Sequence, residues 1–144
     1  MKIKNFAMLA GAAAILAACS CGTTITPSTV NVPADINEQR VFFAFNSAEI
    51  SDAAHENLVA QAAYLKFNPD TKIQIAGNCD ERGSTEYNLA LGARRANAAK
   101  SVIVAEGVEA NRVSTISYGK ERPLVKGTGE EVWQWNRNAT TTVK

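Results

Sequence analysis

The sequence predicts a two-layer α+β domain, and three observations carry the prediction. Four short apolar or alternating runs read as strands. Two longer stretches place apolar residues at helical spacing. The two kinds of element alternate in the order βαβαβ(α)β, and half-apolar elements in that order bury their apolar sides against one another as two layers, a sandwich of sheet and helices.

Each element has its own justification. Val41-Phe42-Phe43-Ala44-Phe45 is a short, strongly apolar strand that Asn46-Ser47 ends. Ser51 suits the N-cap of a helix running to Phe67, in which Ala54, Leu58, Ala62 and Leu65 recur at helical spacing and form one buried face. Asn68-Pro69-Asp70 stops that helix. Lys72 to Ala76 alternates as a second strand, and Gly77 to Ser84 reads as a loop. A long helix follows from Thr85 to Glu106, ended by Gly107. Its stripe of Gly92, Ala96, Ala99 and Ile103 is mostly small, which lets the helix approach the sheet closely. Glu109 to Arg112 is a brief turn, and Val113 to Tyr118 a third strand. A Gly- and Pro-containing stretch leads to a short helix over Glu130–Asn136 and a last strand over Ala139–Val143.

The 144 residues have room for one domain, and 46% hydrophobic with 20% charged residues suits a globular one. Formal net charge is +1, no basic stripe runs along the chain, and no nucleic-acid-binding motif occurs, so no nucleic-acid partner is expected. Lys2 and Lys4 precede an unbroken apolar run from Phe6 to Ala18 that ends in small residues, as in a signal peptide. That run is shorter than the roughly 20 residues that cross a bilayer core as a helix. It closes on Leu16-Ala17-Ala18-Cys19, which resembles a bacterial lipobox. The resemblance implies cleavage before Cys19 and its lipidation, and acyl chains are what keep a soluble domain on a membrane. Cys21 lacks a Leu three positions before it, and Ser20 is not the Asp that marks inner-membrane retention, so Cys19 and the outer membrane are expected. With Cys19 lipidated, Cys21 and Cys79 remain, and no structural disulfide is expected between leader and domain. Residues 20–40 are rich in Thr, Ser, Asn and Pro without period, which predicts a tether spanning about 60 Å if extended. The chain thus divides into a signal peptide (1–18), a lipidated N-terminus with flexible tether (19–40) and a folded domain (41–144).

The segment from Gly77 through Asn78-Cys79-Asp80-Glu81-Arg82-Gly83, Tyr87-Asn88 and Arg94-Arg95 to Ala96 closely resembles the signature of OmpA-like peptidoglycan-binding domains, and within them the peptidoglycan-associated lipoproteins (Pal). Ser117-Tyr118-Gly119-Lys120-Glu121-Arg122-Pro123, the position of Trp133 and the pair Asn136-Arg137 fit the same pattern. The resemblance covers roughly residues 40–140. It implies a mixed sheet covered by helices on one face, no cofactor, and non-covalent binding of the diaminopimelate stem of peptidoglycan. The implied ligand-binding residues are Asp80 and Arg95, with Asn78, Cys79, Asn46 and Leu91 beside them. It also implies TolB and other Tol proteins as partners, with a protein-binding module of TolB type as the alternative to a wall-binding one. The chain departs from the pattern at Ala44 and Asn46, where the family usually has aspartates, and at Asn138, where a second arginine usually follows Arg137.

The chemistry of the signature is intelligible unaided. Diaminopimelate ends in an ammonium and a carboxylate. A planar guanidinium donates two parallel hydrogen bonds to the carboxylate, and a side-chain carboxylate suits the ammonium. Helical phase puts Asn88, Leu91 and Arg95 on one stripe, and helical side chains lean toward the N-terminus, so Arg95 should reach back toward the loop holding Asp80. A structural Asp80–Arg95 ion pair is the competing expectation. Arg94 reads as a solvated helix residue, Glu81 and Arg82 as loop-shaping or partner-facing, Tyr87 as packing. Trp133 and Trp135 read as helix-packing rather than as a sugar platform. An enzyme is not expected. The single histidine, His55, sits on the first helix, no histidine lies near Cys79 to act as base, and one His with scattered Cys is too few for a metal site.

Overall fold

The computed structural model describes residues 31–144. The signal peptide, Cys19, Cys21 and most of the expected tether lie outside the described residues. The elements are β1 (Arg40–Phe42), α1 (Asp52–Phe67), β2 (Ile73–Asn78), α2 (Thr85–Ala105), a single 3-10 turn (Ala110–Arg112), β3 (Val113–Gly119), α3 (Glu130–Asn136) and β4 (Asn138–Val143). The order is the expected βαβαβ(α)β. The strands form one mixed sheet in the order β1-β4-β2-β3, with β2 and β3 parallel and β4 antiparallel to both neighbours.

The expected cap at Ser51 forms, and the structure adds a second at Ser84. The Ser51 side chain accepts from the Ala54 N–H at 3.2 Å, and the Ser84 side chain from the Tyr87 N–H at 3.1 Å. Each satisfies one of the donors that a helix start leaves unpaired. The α1 stripe of Ala54, Leu58, Ala62 and Leu65 is buried, as is the α2 stripe of Gly92, Ala96, Ala99 and Ile103. Both meet Ile73, Ile75, Val113 and Ala139 from one face of the sheet, and together they form the core. On the other face Arg40, Gln74, Tyr118, Thr140 and Thr142 line an open groove.

Three boundaries differ from expectation by more than one residue. The first strand stops at Phe42 rather than Phe45. The carbonyls of Phe43 and Ala44 are taken instead by the guanidiniums of Arg137 and Arg95, at 3.0 and 3.1 Å. The second strand extends through Gly77 and Asn78, which pair with Ser117 and Gly119 of β3 across a bulge. The domain also begins before residue 41. Ile36 is fully buried in the core, the Glu38 N–H donates to the Thr141 carbonyl at 2.7 Å, and Arg40 starts β1. A composition poor in apolar residues reads as tether, yet one isoleucine and a few backbone bonds to β4 suffice to dock its end. Ile36→Ala should therefore destabilise the domain by about 2–4 kcal/mol in urea unfolding, the usual range for truncating a buried isoleucine. An unchanged midpoint would return residues 36–40 to the tether.

Candidate functional site

Where the loop after β2 meets the start of α2, side chains from three segments enclose a cavity of about 350 Å³. Phe45 and Asn46 come from the turn after β1, Cys79, Asp80 and Arg82 from the loop after β2, and Tyr87, Asn88, Leu91 and Arg95 from α2. Five of the six residues expected at the site are thus brought together. Asn78 is the exception. Its side chain donates to the carbonyl of Ala76 and the amide oxygen of Asn138, on the groove side of the sheet, and only its backbone carbonyl serves the cavity, as an acceptor for Arg95.

Arg95 lies under the cavity with 1% of its surface exposed. Its Nε donates to the Ser47 carbonyl at 2.8 Å, Nη1 to that of Asn78 at 2.8 Å, and Nη2 to that of Ala44 at 3.1 Å. The side chain therefore ties the turn after β1 to the end of β2. A guanidinium has five N–H groups, so two have no acceptor among the described residues. Among the described residues no carboxylate approaches Arg95 within 4.0 Å, so the competing expectation of a structural Asp80–Arg95 ion pair is not met. Burial pushes its guanidinium below the ordinary value, countered in part by Cys79 and Asp80. A free arginine titrates so high that the charge stays. A buried cation whose partners are carbonyl dipoles rather than an anion is costly to keep, and is a group that an anionic ligand would complete.

Asp80, also buried, has its own cations. Its Oδ1 accepts from the backbone N–H and Nε of Arg82 at 3.0 and 3.2 Å, and its Oδ2 from Nη2 of Arg82 at 2.7 Å. Arg137 stands 3.6 Å away and is itself paired with Glu130 at 2.6 Å. Burial alone raises the Asp80 carboxyl, but the hydrogen bonds from Arg82, with its charge and that of Arg137, outweigh it and hold the group below the usual carboxylate range.

Two expectations are corrected here. Arg82 does more than shape a loop. It closes on Asp80 and lines the cavity, with its guanidinium 3.8 Å from the ring centre of Phe45 and 4.0 Å from that of Trp133. Tyr87 is 42% exposed on the cavity rather than packed in the core. Glu81 accepts from the Trp133 indole N–H at 3.0 Å and the Thr128 hydroxyl at 2.8 Å, which fastens the loop after β2 to α3 and the segment before it. Arg94 is exposed, as expected, and Trp135 lies on the surface edge-on to Phe42. Asn138 is buried and satisfied, donating to the Trp135 carbonyl at 2.7 Å. Only the spacing of Asp80 and Arg82 hinted at their pairing; the ring contacts of Arg82 span segments far apart in sequence.

Cys79 is a buried, free thiol, which donates to the Asn88 carbonyl at 3.3 Å. Burial raises its pKa, against the opposing influence of Arg95. A neutral thiol that acts only as a weak donor is replaceable. Cys79→Ser should keep ligand binding within about threefold, since a hydroxyl can donate to the same carbonyl. Loss of binding in a folded Cys79→Ser variant would give the thiol a chemical role.

A mixed sheet covered by helices on one face thus carries a charged cavity between the β2–α2 loop and its neighbours, the arrangement of a binding rather than a metal- or cofactor-bearing site among the described residues. The chain belongs to the OmpA family, whose pattern matches residues 42–137. Its relatives include the peptidoglycan-associated lipoprotein of Pasteurella multocida, 40% identical over 96% of this chain and 96% of that protein. The protein of the same name from Mesorhizobium japonicum is 46% identical over 72% of this chain and 62% of its own length. The crystal structure of the peptidoglycan-associated lipoprotein from Burkholderia pseudomallei superposes with a TM-score of 0.72 at 39% identity, covering 74% of this chain and 91% of that one. The C-terminal domain of Helicobacter pylori MotB, 20% identical with a TM-score of 0.69 over 74% of this chain and 84% of its own, shares the fold. The family is a binding rather than a catalytic one.

Proposed function

We propose that this chain is an envelope lipoprotein that binds peptidoglycan non-covalently and so tethers the outer membrane to the cell wall. The observation that carries the reading is Arg95, a buried guanidinium with no carboxylate partner among the described residues, lining a cavity large enough for the end of an amino-acid side chain. The ligand is the side-chain end of meso-diaminopimelate. Arg95 takes its carboxylate, Asp80 its ammonium, and Asn46, Cys79 and Leu91 shape the walls. The names of the relatives support a wall ligand and a lipid anchor. Sedimentation of the soluble domain with isolated sacculi is the direct test; a domain that stays in the supernatant at micromolar concentration is not a wall binder.

Anchoring rests on Cys19, with the outer membrane as its site. Cys19→Ser should abolish acyl labelling and release the protein. Continued labelling would move the assignment to Cys21. Action with TolB and the Tol system in envelope integrity and cell division belongs to the same proposal. One observation favours a protein-binding role at the same place: Phe45, 57% exposed, and Tyr87 present aromatic rings at the cavity. A protein partner covering those rings would compete with wall fragments, so a TolB-type partner unaffected by added muropeptide would separate the two surfaces.

A further inference from the structure

Asp80 and Arg95 do not start from equal positions. The Asp80 carboxylate is taken on both oxygens by Arg82, with Arg137 beside it. Among the described residues Arg95 has only carbonyl acceptors. The Asp80 carboxylate is therefore engaged by a cation of the chain itself, whereas two N–H groups of Arg95 have no acceptor among the described residues. The Phe45 and Trp133 rings both lie against the Arg82 cation, with centres 3.8 and 4.0 Å from its Cζ, and Trp133 is fixed in turn through Glu81. Yet the Arg82 side chain is 30% exposed, so solvent reaches it and it can leave without opening the core.

We propose that Arg82 is an internal competitor for the ligand's ammonium, and thereby the residue that sets which charge of the ligand the cavity reads. This rests on the reading that the cavity takes a side-chain end bearing both an ammonium and a carboxylate. Such a ligand first gains the Arg95 contact, which displaces no side chain of the described residues. Its ammonium reaches Asp80 only by exchanging with a guanidinium that already makes two side-chain hydrogen bonds to the same carboxylate. One charge-assisted pair replaces another, so the exchange contributes little net affinity. A ligand with the carboxylate alone should bind nearly as well as the zwitterion. Arg82 acts through Asp80 as a positioning residue and decides that outcome.

The test compares wild type with Arg82→Met, which keeps an unbranched apolar side chain between the two rings and removes the cation. Three stem peptides are titrated by calorimetry: one with native diaminopimelate, one in which hydrogen replaces the side-chain amine, and one with the side-chain carboxylate amidated. In wild type, removing the amine should cost less than about threefold. In Arg82→Met the native stem should bind about tenfold tighter than in wild type, and removing the amine should now forfeit that gain. Arg82→Lys, which restores a cation, should return the wild-type pattern. Thermal unfolding of each variant confirms that the domain is intact, and the within-protein ratio of the first two stems is independent of modest changes in loop order. The proposal is overturned if Arg82→Met weakens the native and amine-free stems alike, or if removing the amine already costs wild type tenfold. Equal wild-type affinity for the native and amidated stems is a different failure, because it removes the diaminopimelate reading on which this one rests.

Discussion

Amidating the side-chain carboxylate of diaminopimelate should weaken binding of the stem to this domain by about 30- to several-thousand-fold, or roughly 2–5 kcal/mol. The magnitude follows from the burial of Arg95, since truncating one partner of a desolvated, hydrogen-bonded charge pair leaves the other unsatisfied. A lysine-type stem, which lacks the carboxylate, should lose the same energy. The change is better made on the ligand than on the protein. Arg95 also holds the carbonyls of Ala44, Ser47 and Asn78, so Arg95→Ala or Arg95→Lys would disturb the turn after β1 as well as the cavity. Arg95→Lys should lose both binding and stability, because an ammonium cannot reproduce the planar fork. Asp80→Ala should likewise impair the site, because it removes the partner that organises Arg82. Calorimetric titration with the free, amidated and lysine stems decides the matter, and equal affinities would leave only the fold standing.

Gly77→Ala should destabilise the domain by about 3 kcal/mol or more, the upper range for forcing extra volume into a packed interior. A Cβ on Gly77 would fall on the carbonyl oxygen of Gly92, a backbone atom of α2 that no rotamer can move. The helix would have to lift from the sheet at the point where it carries Leu91 and Arg95 to the cavity. Gly92→Ala is the useful contrast. Its added methyl meets the Ser117 hydroxyl first, which can rotate away, and then the Gly77 carbonyl oxygen at 2.9 Å, which cannot. Its cost should therefore be smaller than that of Gly77→Ala and only partly recovered in combination with Ser117→Ala. Urea unfolding of the three variants provides the comparison. A Gly77→Ala midpoint close to wild type would mean that α2 does not need this approach to the sheet.

These two effects join the fold to its use. Small residues at Gly77 and Gly92 set the distance between helix and sheet, and that distance brings the α2 stripe of Asn88, Leu91 and Arg95 against the loop after β2. Asn88 contributes further by donating to the Arg82 carbonyl at 2.8 Å, which holds the loop above the first turns of α2. The cavity is thus a consequence of how closely one helix lies on one strand.

By itself the sequence determined the element order, the Ser51 cap, the buried stripes of α1 and α2, and the clustering of Asp80, Cys79, Leu91 and Arg95. All of these depend on local periodicity or on residues close in the chain, where helical phase and strand alternation act directly. Tertiary structure alone decided the partners. Arg95 takes carbonyls 48, 51 and 17 residues away instead of the Asp80 carboxylate. The side chain of Asn78 turns to the opposite face of the sheet, and Ile36 joins a core that its polar neighbours gave no sign of reaching. The physical reason is the same for the two polar side chains. A side chain's chemistry states what it can bond, but a buried donor takes whichever acceptor the packed chain brings within about 3 Å, and that is fixed by segments distant in sequence.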